Sequence, residues 1–323
     1  MNKFGDLITA DHVDAGKHGL SGYGENNAIV IADSYTKTIY GYPRTSHATS
    51  SVVSALQEFV SSGDKVGLFY TDGAGELEKA ALKMEWRHDA SPPYRPQSNG
   101  VAERAVRTVV EGTRALLCQS GMHHRWWPFA MRAFSTIRNF TVEVVAGRRN
   151  CATKQGATPA DEQEVAEDEQ GATPAAPKVG TPYFLKFGES FKGQTPVFGQ
   201  MITYLMEPKR KGDEPHQKFI SKIRKAIFLG HRVTPGGRWK GEYIVLDWPR
   251  TKSATMLQDA PIYKVKEIYT SEEKTVSLHY PRQRDQIPTN LRSNGRFRLV
   301  GGRRRGSTAK PRRRLCDRPR HGG

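Results

Sequence analysis

The sequence predicts an α/β unit followed by a small β-rich module and a basic tail. Three observations predict it. Strand-like and helix-like patterns alternate through the first 149 residues. Residues 150–180 then turn acidic and poor in apolar side chains. Beyond them strand-like runs return, separated by Gly, Pro and Lys, until an arginine-rich segment replaces them. At 323 residues the chain is long enough for two modest domains, each with its own core.

The elements follow in order. Residues 7–13 (LITADHV) start apolar and end among carboxylates, as a short strand does, and a Gly-rich turn covers 16–24. The run NAIVIA at 27–32 is apolar throughout, and after a turn at 34–37 residues 38–42 come back as a third strand. Together they form an antiparallel meander. From 48 to 60, Val52, Val53, Leu56, Phe59 and Val60 recur at helical spacing, and Gly63 stops the run. KVGLFY at 65–70 reads as a buried strand that ends on Thr71 and Asp72. A short helix is expected over 76–84 and a fifth strand over 85–89. Pro92, Pro93, Pro96 and Gly100 break the chain next. A helix then covers 101–117, with Val106, Val109, Val110, Thr113, Leu116 and Leu117 on one face and Arg104, Arg107, Glu111 and Arg114 around the other. A further amphipathic helix is expected over 126–145, where Trp126 and Trp127 read as core aromatics.

The expected boundaries are 1–149 for the first unit, 150–180 for an acidic disordered linker, 181–270 for the β-rich module and 271–323 for a basic disordered tail. Within the linker the hexamer QGATPA occurs twice, at 155–160 and 170–175, a duplication in low-complexity sequence and not a structural repeat. Strands of the module are expected at 197–206, 226–229 and 243–246.

The formal charge of +17 and a pI near 9.8 suit a polyanionic partner, because each neutralised phosphate releases condensed counterions. Most of that charge lies late: 14 Arg and Lys between 282 and 320 face only Asp285 and Asp317, a net of +12. Such a tail is expected to bind nucleic acid nonspecifically or serve as a nuclear import signal, with a translated out-of-frame extension as the alternative, and an intracellular, nuclear protein is expected. Cys118, Cys151 and Cys316 form no CxxC pair, which argues against a disulfide framework and a structural zinc site. The adjacent His123 and His124 lack Cys partners and are not expected to bind metal. No run approaches the roughly 20 apolar residues of a membrane span, and residues 1–5 lack the shape of a signal peptide. No membrane partner is expected.

Three acidic residues fit a demanding chemistry. Phosphoryl transfer between DNA strands calls for hard cations on the attacking and leaving oxygens, and carboxylates hold such ions. Asp11 ends the first strand, Asp72 ends the apolar run KVGLFYT, and Glu103 lies in the first turn of the helix after the proline-rich loop, 61 and 31 residues apart. Strand ends and a helix N-terminus are where an α/β sheet assembles its site. Asp14 competes with Asp11 for the first position. An odd offset in a strand places the two on opposite faces, and Asp11, which directly follows the alternating run, is the choice.

The segments around these residues resemble the integrases of retroviruses and, more closely, of copia-type LTR retrotransposons. P-Q-x-N-G-x-x-E-R is matched over 96–104, and T-D-x-x-x-E by Thr71, Asp72 and Glu76. TPYFLKFG at 181–188, VFG at 197–199 and KAIFLGH at 225–231 resemble the segment that follows the copia-type core. The resemblance implies an RNase H-like fold, a five-stranded mixed sheet flanked by helices. It implies a DDE polynucleotidyl transferase that uses two Mg²⁺ ions, with Mn²⁺ able to replace them. Asp11 and Asp72 would share one ion, Asp11 and Glu103 the other. DNA is the implied partner, as element ends and target duplex, bound by a homo-multimer. Tyr94, Arg95, Gln97, Ser98 and Asn99 on the loop, with Arg104 and Arg107 on the helix, are the expected DNA contacts. Gly73 and Leu77 depart from the family, which has Asn or Ser and an aromatic there. The family's His₂Cys₂ zinc module, protease and reverse transcriptase segments do not occur in the 323 residues, so a fragment is expected, with a catalytically inactive DNA-binding relic as the alternative to an enzyme.

Overall fold

The structure is a computed structural model that describes residues 1–16, 19–92, 100–147, 178–205, 222–248, 260–270 and Tyr280. Strands β1 (Ile8–Asp14), β2 (Asn27–Asp33), β3 (Ile39–Arg44), β4 (Phe69–Thr71) and β5 (His88–Ala90) form one sheet in the order β3-β2-β1-β4-β5. β1, β2 and β3 run antiparallel, whereas β4 and β5 are parallel to β1. This mixed sheet, flanked by helices, has the RNase H-like arrangement. Every residue of β2 is buried, which explains why its sequence is apolar without alternation: both sheet faces are covered.

Helices α1 (Thr49–Phe59) and α2 (Gly75–Lys83) cover one face, packing Val52, Leu56, Phe59, Leu77 and Ala80 against Ile8, Ala10, Ile29, Ile31 and Phe69. Each fully buried Leu, Ile or Phe contributes about 1.5–3 kcal/mol. On the other face, Ala105 and Val109 of α3 (Gly100–Ser120) and Trp127 and Met131 of α4 (Trp127–Thr141) meet Ala28, Val30 and Ala32. Edge strand β3 carries Pro43, which an edge tolerates. Its free edge is closed by α4: Ser135 Oγ accepts from Gly41 N (3.1 Å), Asn139 Oδ1 accepts from Ile39 N (3.1 Å), and Asn139 Nδ2 donates to Ile39 O (2.8 Å). Gly41 permits this approach, since a Cβ there would lie 2.7 Å from the Met131 side chain.

Two expectations are corrected. The strand expected over 65–70 is confined to Phe69–Thr71, and the stretch before it joins the sheet through isolated bonds, Gly67 N to Gly5 O and Ile8 N to Leu68 O. The last helix does not continue to 145. It stops at Thr141, and the β-branched residues beyond it form β6 (Val144–Val145), paired with β7 (Val179–Gly180).

After β7, α5 (Pro182–Phe187) is capped by the Thr181 hydroxyl, which accepts from Phe184 N, and ends at Gly188 in the left-handed region (φ 72°). Its Lys186 docks it on the first unit, 3.1 Å from an Asp64 oxygen and 3.4 Å above the Phe4 ring. Strands β8 (Met201–Leu205), β9 (Ile223–Val233), β10 (Trp239–Asp247), β11 (Ile262–Val265) and β12 (Ile268–Tyr269) form a second, antiparallel sheet in the order β11-β10-β9-β8-β12. This β-rich region shares a core with α4: Trp126, Ala130 and Ala133 pack with Phe198, Ile227, Leu229 and Leu246. Trp126 and Trp127 are both buried. Most of the expected linker and nearly all of the expected tail lie outside the described residues. Among the described residues, no helix is long and apolar enough to cross a membrane.

Candidate active site

β1 lies at the middle of the first sheet, and its side chains alternate between the two covered faces. Ile8 and Ala10 pack under α1 and α2. His12 and Asp14 continue on that side, whereas Thr9, Asp11 and Val13 turn toward α3. The parallel register Thr9↔Tyr70, carried two residues further, sets Asp11 beside Asp72 just past the end of β4. Glu103 stands in the first turn of α3, exposed between the buried Ala102 and Ala105.

Asp72 and Glu103 both act on Asp11 through space. Burial lifts the half-buried Asp11 carboxyl above its ordinary range, and the charges of Asp72 and Glu103 lift it further. A hydrogen bond donated by His12 N to Asp11 Oδ1 (2.7 Å) works in the opposite direction. Asp14 does not join them: it is exposed on the other face, with Oδ1 2.8 Å from His47 Nε2. Asp72 Oδ1 accepts from Ala74 N at 3.2 Å, a local bond at the entrance to α2.

Both departures from the family pattern have a physical reason. Gly73 adopts φ 83°, a left-handed conformation open to Gly and Asn but strained for most side chains. Leu77 is fully buried in the core beneath α1 and α2, an apolar slot that needs volume and no ring.

Of the expected DNA contacts, Tyr94, Arg95, Gln97, Ser98 and Asn99 lie outside the described residues. Arg104 and Arg107 are exposed on α3, with Arg104 Nε donating to Gly100 O (2.8 Å). They line a cavity of about 700 Å³ that also receives Lys37 and Arg138. Its wall also carries Asp33, Asp89 and Glu111, and it includes Thr9 and Tyr70, each two residues before a carboxylate of the trio, so the groove runs toward the acidic cluster.

A second cluster was not singled out by sequence. His12, His47 and Glu76 each offer one ligand atom, all within 4.8 Å of one another, on the α1–α2 side of β1. Glu76 entered the sequence reading only as a motif position, and 35 residues separate the two histidines without any local pattern to join them. Burial and the neighbouring His47 ring push His12 below the ordinary histidine range, while Glu76, Asp72 and Asp14 pull it up.

The donors at the first cluster are carboxylate oxygens alone, the set that hard dications take, and a cation there would relieve the repulsion that lifts Asp11.

Comparison with known proteins agrees with the motifs. Over 69 residues, 20% of this chain, the sequence is 35% identical to the retrovirus-related Pol polyprotein from transposon RE1 of Arabidopsis thaliana. Over 108 residues, 32% of this chain, it is 26% identical to the corresponding polyprotein from transposon RE2 of the same plant. Over these segments the chain is similar to transposon Pol polyproteins. The matches span only 5% and 7% of those polyproteins' own lengths, so it corresponds to a small part of them. No family model matches the chain. Among solved structures, the catalytic core domain of BIV integrase aligns with 43% of this chain and 86% of its own length, at 16% identity and a TM-score of 0.32.

Proposed function

We propose that this chain is the catalytic core of a retrotransposon-type integrase, which performs two phosphoryl transfers on DNA. Water first cleaves a phosphodiester near the element's 3′ end; the freed 3′-OH then attacks a phosphodiester of the target duplex. Asp11, Asp72 and Glu103 are the residues we assign to catalysis, holding two Mg²⁺ ions that supply charge neutralisation on the attacking and leaving oxygens. The observation that carries this reading is that carboxylates 61 and 31 residues apart in sequence come close enough for the charges of Asp72 and Glu103 both to act on the half-buried Asp11, beside which the strand register sets Asp72.

The remaining residues have positioning roles. Asp11 is fixed by the sheet, Glu103 by a helix packed on that sheet, and Asp72 by its hydrogen bond at the start of α2. Rigid placement of charge before the substrate arrives is what lowers the barrier in such reactions. Arg104 and Arg107, with Lys37 and Arg138 in the same groove, would hold DNA phosphates next to the acidic cluster. The net charge of +17 supports DNA, as element end and target duplex, as the partner, and we infer a homo-multimer on the DNA because one event joins two element ends to one target.

The test is strand transfer with a supplied element-end duplex in Mg²⁺ or Mn²⁺. Joined products should form with the wild type and disappear with Glu103→Gln. A protein that binds DNA and yields no cleaved or joined product in either metal would be a DNA-binding relic.

A further inference from the structure

We propose that His12, His47 and Glu76 form a site for one transition-metal dication of the Zn²⁺ type, separate from the carboxylate trio and on the opposite face of β1.

The geometry is close to that of a ligand set. The three ligand atoms lie within 4.8 Å of one another, and His12 Nε2 is 3.5 Å from Glu76 Oε1. Two ligands on a zinc tetrahedron with bonds of about 2.1 Å stand about 3.4 Å apart, so this pair already has the needed separation. His47 needs a shift on the order of 1 Å, which a ring on a half-exposed loop side chain makes easily. The His12 and His47 ring centroids are 4.8 Å apart.

His12 also lacks the partners expected of an ordinary core histidine. Both of its ring nitrogens are shut off from solvent, and neither has a hydrogen-bond partner among the described residues. Leaving a buried polar group unpaired is costly, and a metal bond to one nitrogen removes part of that cost. His47 has the companion a metal-bound imidazole commonly has: Asp14 Oδ1 lies 2.8 Å from its Nε2, a carboxylate able to orient the ring and raise its basicity.

Donor chemistry sets the ion. Two imidazoles and one carboxylate suit Zn²⁺, Co²⁺ or Ni²⁺ and disfavour Mg²⁺, which takes oxygen. Three protein ligands leave a fourth position for water. The ligands come from β1, the segment before α1 and the first turn of α2, and α2 begins three residues after Asp72. A bound ion therefore ties the Asp72 turn to the strand that carries Asp11. Its role is to position that turn. This inference does not rest on the proposed reaction, and its test reads binding alone.

The experiment is titration of the full, chelator-stripped chain with Zn²⁺ by calorimetry and by competition with a chromophoric chelator, with Co²⁺ substituted for an absorption spectrum. We expect one equivalent of Zn²⁺ and visible Co²⁺ bands of a four- or five-coordinate site. His47→Ala and Glu76→Gln should weaken binding by more than the roughly 10–100-fold that loss of an outer partner costs, and Asp14→Asn by about tenfold. Glu103→Gln should leave it unchanged. Melting curves in EDTA establish that each variant is folded, and His47, with 42% of its side chain exposed, is the safest position to change. The proposal is overturned if no equivalent binds, if binding survives both His47→Ala and Glu76→Gln in folded protein, or if Glu103→Gln abolishes it, which would put the ion among the carboxylates.

Discussion

Replacing Asp11 by Asn separates what the carboxylate trio does to folding from what it is proposed to do with metal. Asn keeps the oxygen that accepts from His12 N and nearly the same volume, so the change is one of charge. A like charge at about 4 Å costs about 1 kcal/mol in bulk water and about 4 kcal/mol at an effective dielectric constant of 20. Asp11 is half-buried and feels the charges of Asp72 and Glu103, both on exposed side chains. Neutralising it should therefore stabilise the metal-free protein by about 1–2 kcal/mol, the low end because the neighbours are solvated. For a chain of this size that raises Tm by about 2–8 °C. The pH dependence has a definite sign. The folded-state pKa of Asp11 lies above the ordinary 3.8, so its charged form opposes folding at neutral pH and the penalty fades as pH falls toward 3.8. The melting curves of wild type and Asp11→Asn should converge there. Mg²⁺ should reverse the order, since an ion at about a hundred times its Kd stabilises the wild type by about 2.7 kcal/mol and the variant hardly at all. Thermal melts followed by circular dichroism, in EDTA and in Mg²⁺, read all of this. An Asp11→Asn protein less stable than wild type in EDTA at neutral pH, or one stabilised equally by Mg²⁺, would refute the reasoning.

Three further outcomes are expected. Asn139→Ala strips both side-chain bonds from Ile39 and leaves a buried N–H and C=O of the β3 edge unpaired, a loss of about 2–4 kcal/mol measurable by urea unfolding. Burial holds His231 down at about 4, with Nε2 donating to Gln194 O at 2.8 Å. The unfolded chain thus binds more protons between that value and 6.5, so stability should be full above pH 6.5 and fall by about 3 kcal/mol by pH 4, a step that His231→Gln removes. At Gly73, with φ 83°, Ala should cost about 1 kcal/mol while Asn costs a few tenths at most; equal melting temperatures for the two variants would contradict the strain argument.

What was legible in the sequence follows from periodicity. The apolar run of β2 and the 3.6-residue stripe of α3 announced themselves because each reports its own burial. Residues 65–68 misled because apolar content in a strand-like run does not say how much of it finds a partner; β1 offers β4 only two register pairs. The end of α4 was missed for a related reason. Val142, Val144 and Val145 continue an apolar pattern, yet Val144 and Val145 pair as a strand with Val179–Gly180, more than 30 residues later. Ser135 and Asn139 are polar residues within a helical stretch, and nothing local marks them as the closure of a sheet edge. The same limit hid His12 and His47.

The choice between Asp11 and Asp14 shows how far one strand can specify chemistry. Because side chains alternate, β1 presents Asp11 to α3 and its neighbour His12 to α1 and α2, so oxygen-only donors gather on one side and the imidazole cluster on the other. A slip of one residue would exchange the two faces entirely. What forbids it is the pairing with β2 along the full length of β1, Ile8↔Asp33 through Asp14↔Asn27, together with the burial of Ile8 and Ala10 on the α1–α2 side. Turning those two to the other side would also set Thr9 and the Asp11 carboxylate in the apolar layer under α1, a cost of several kcal/mol for the unpaired charge alone. The register that builds the core is thus the same constraint that sets which metal chemistry each face of β1 can support.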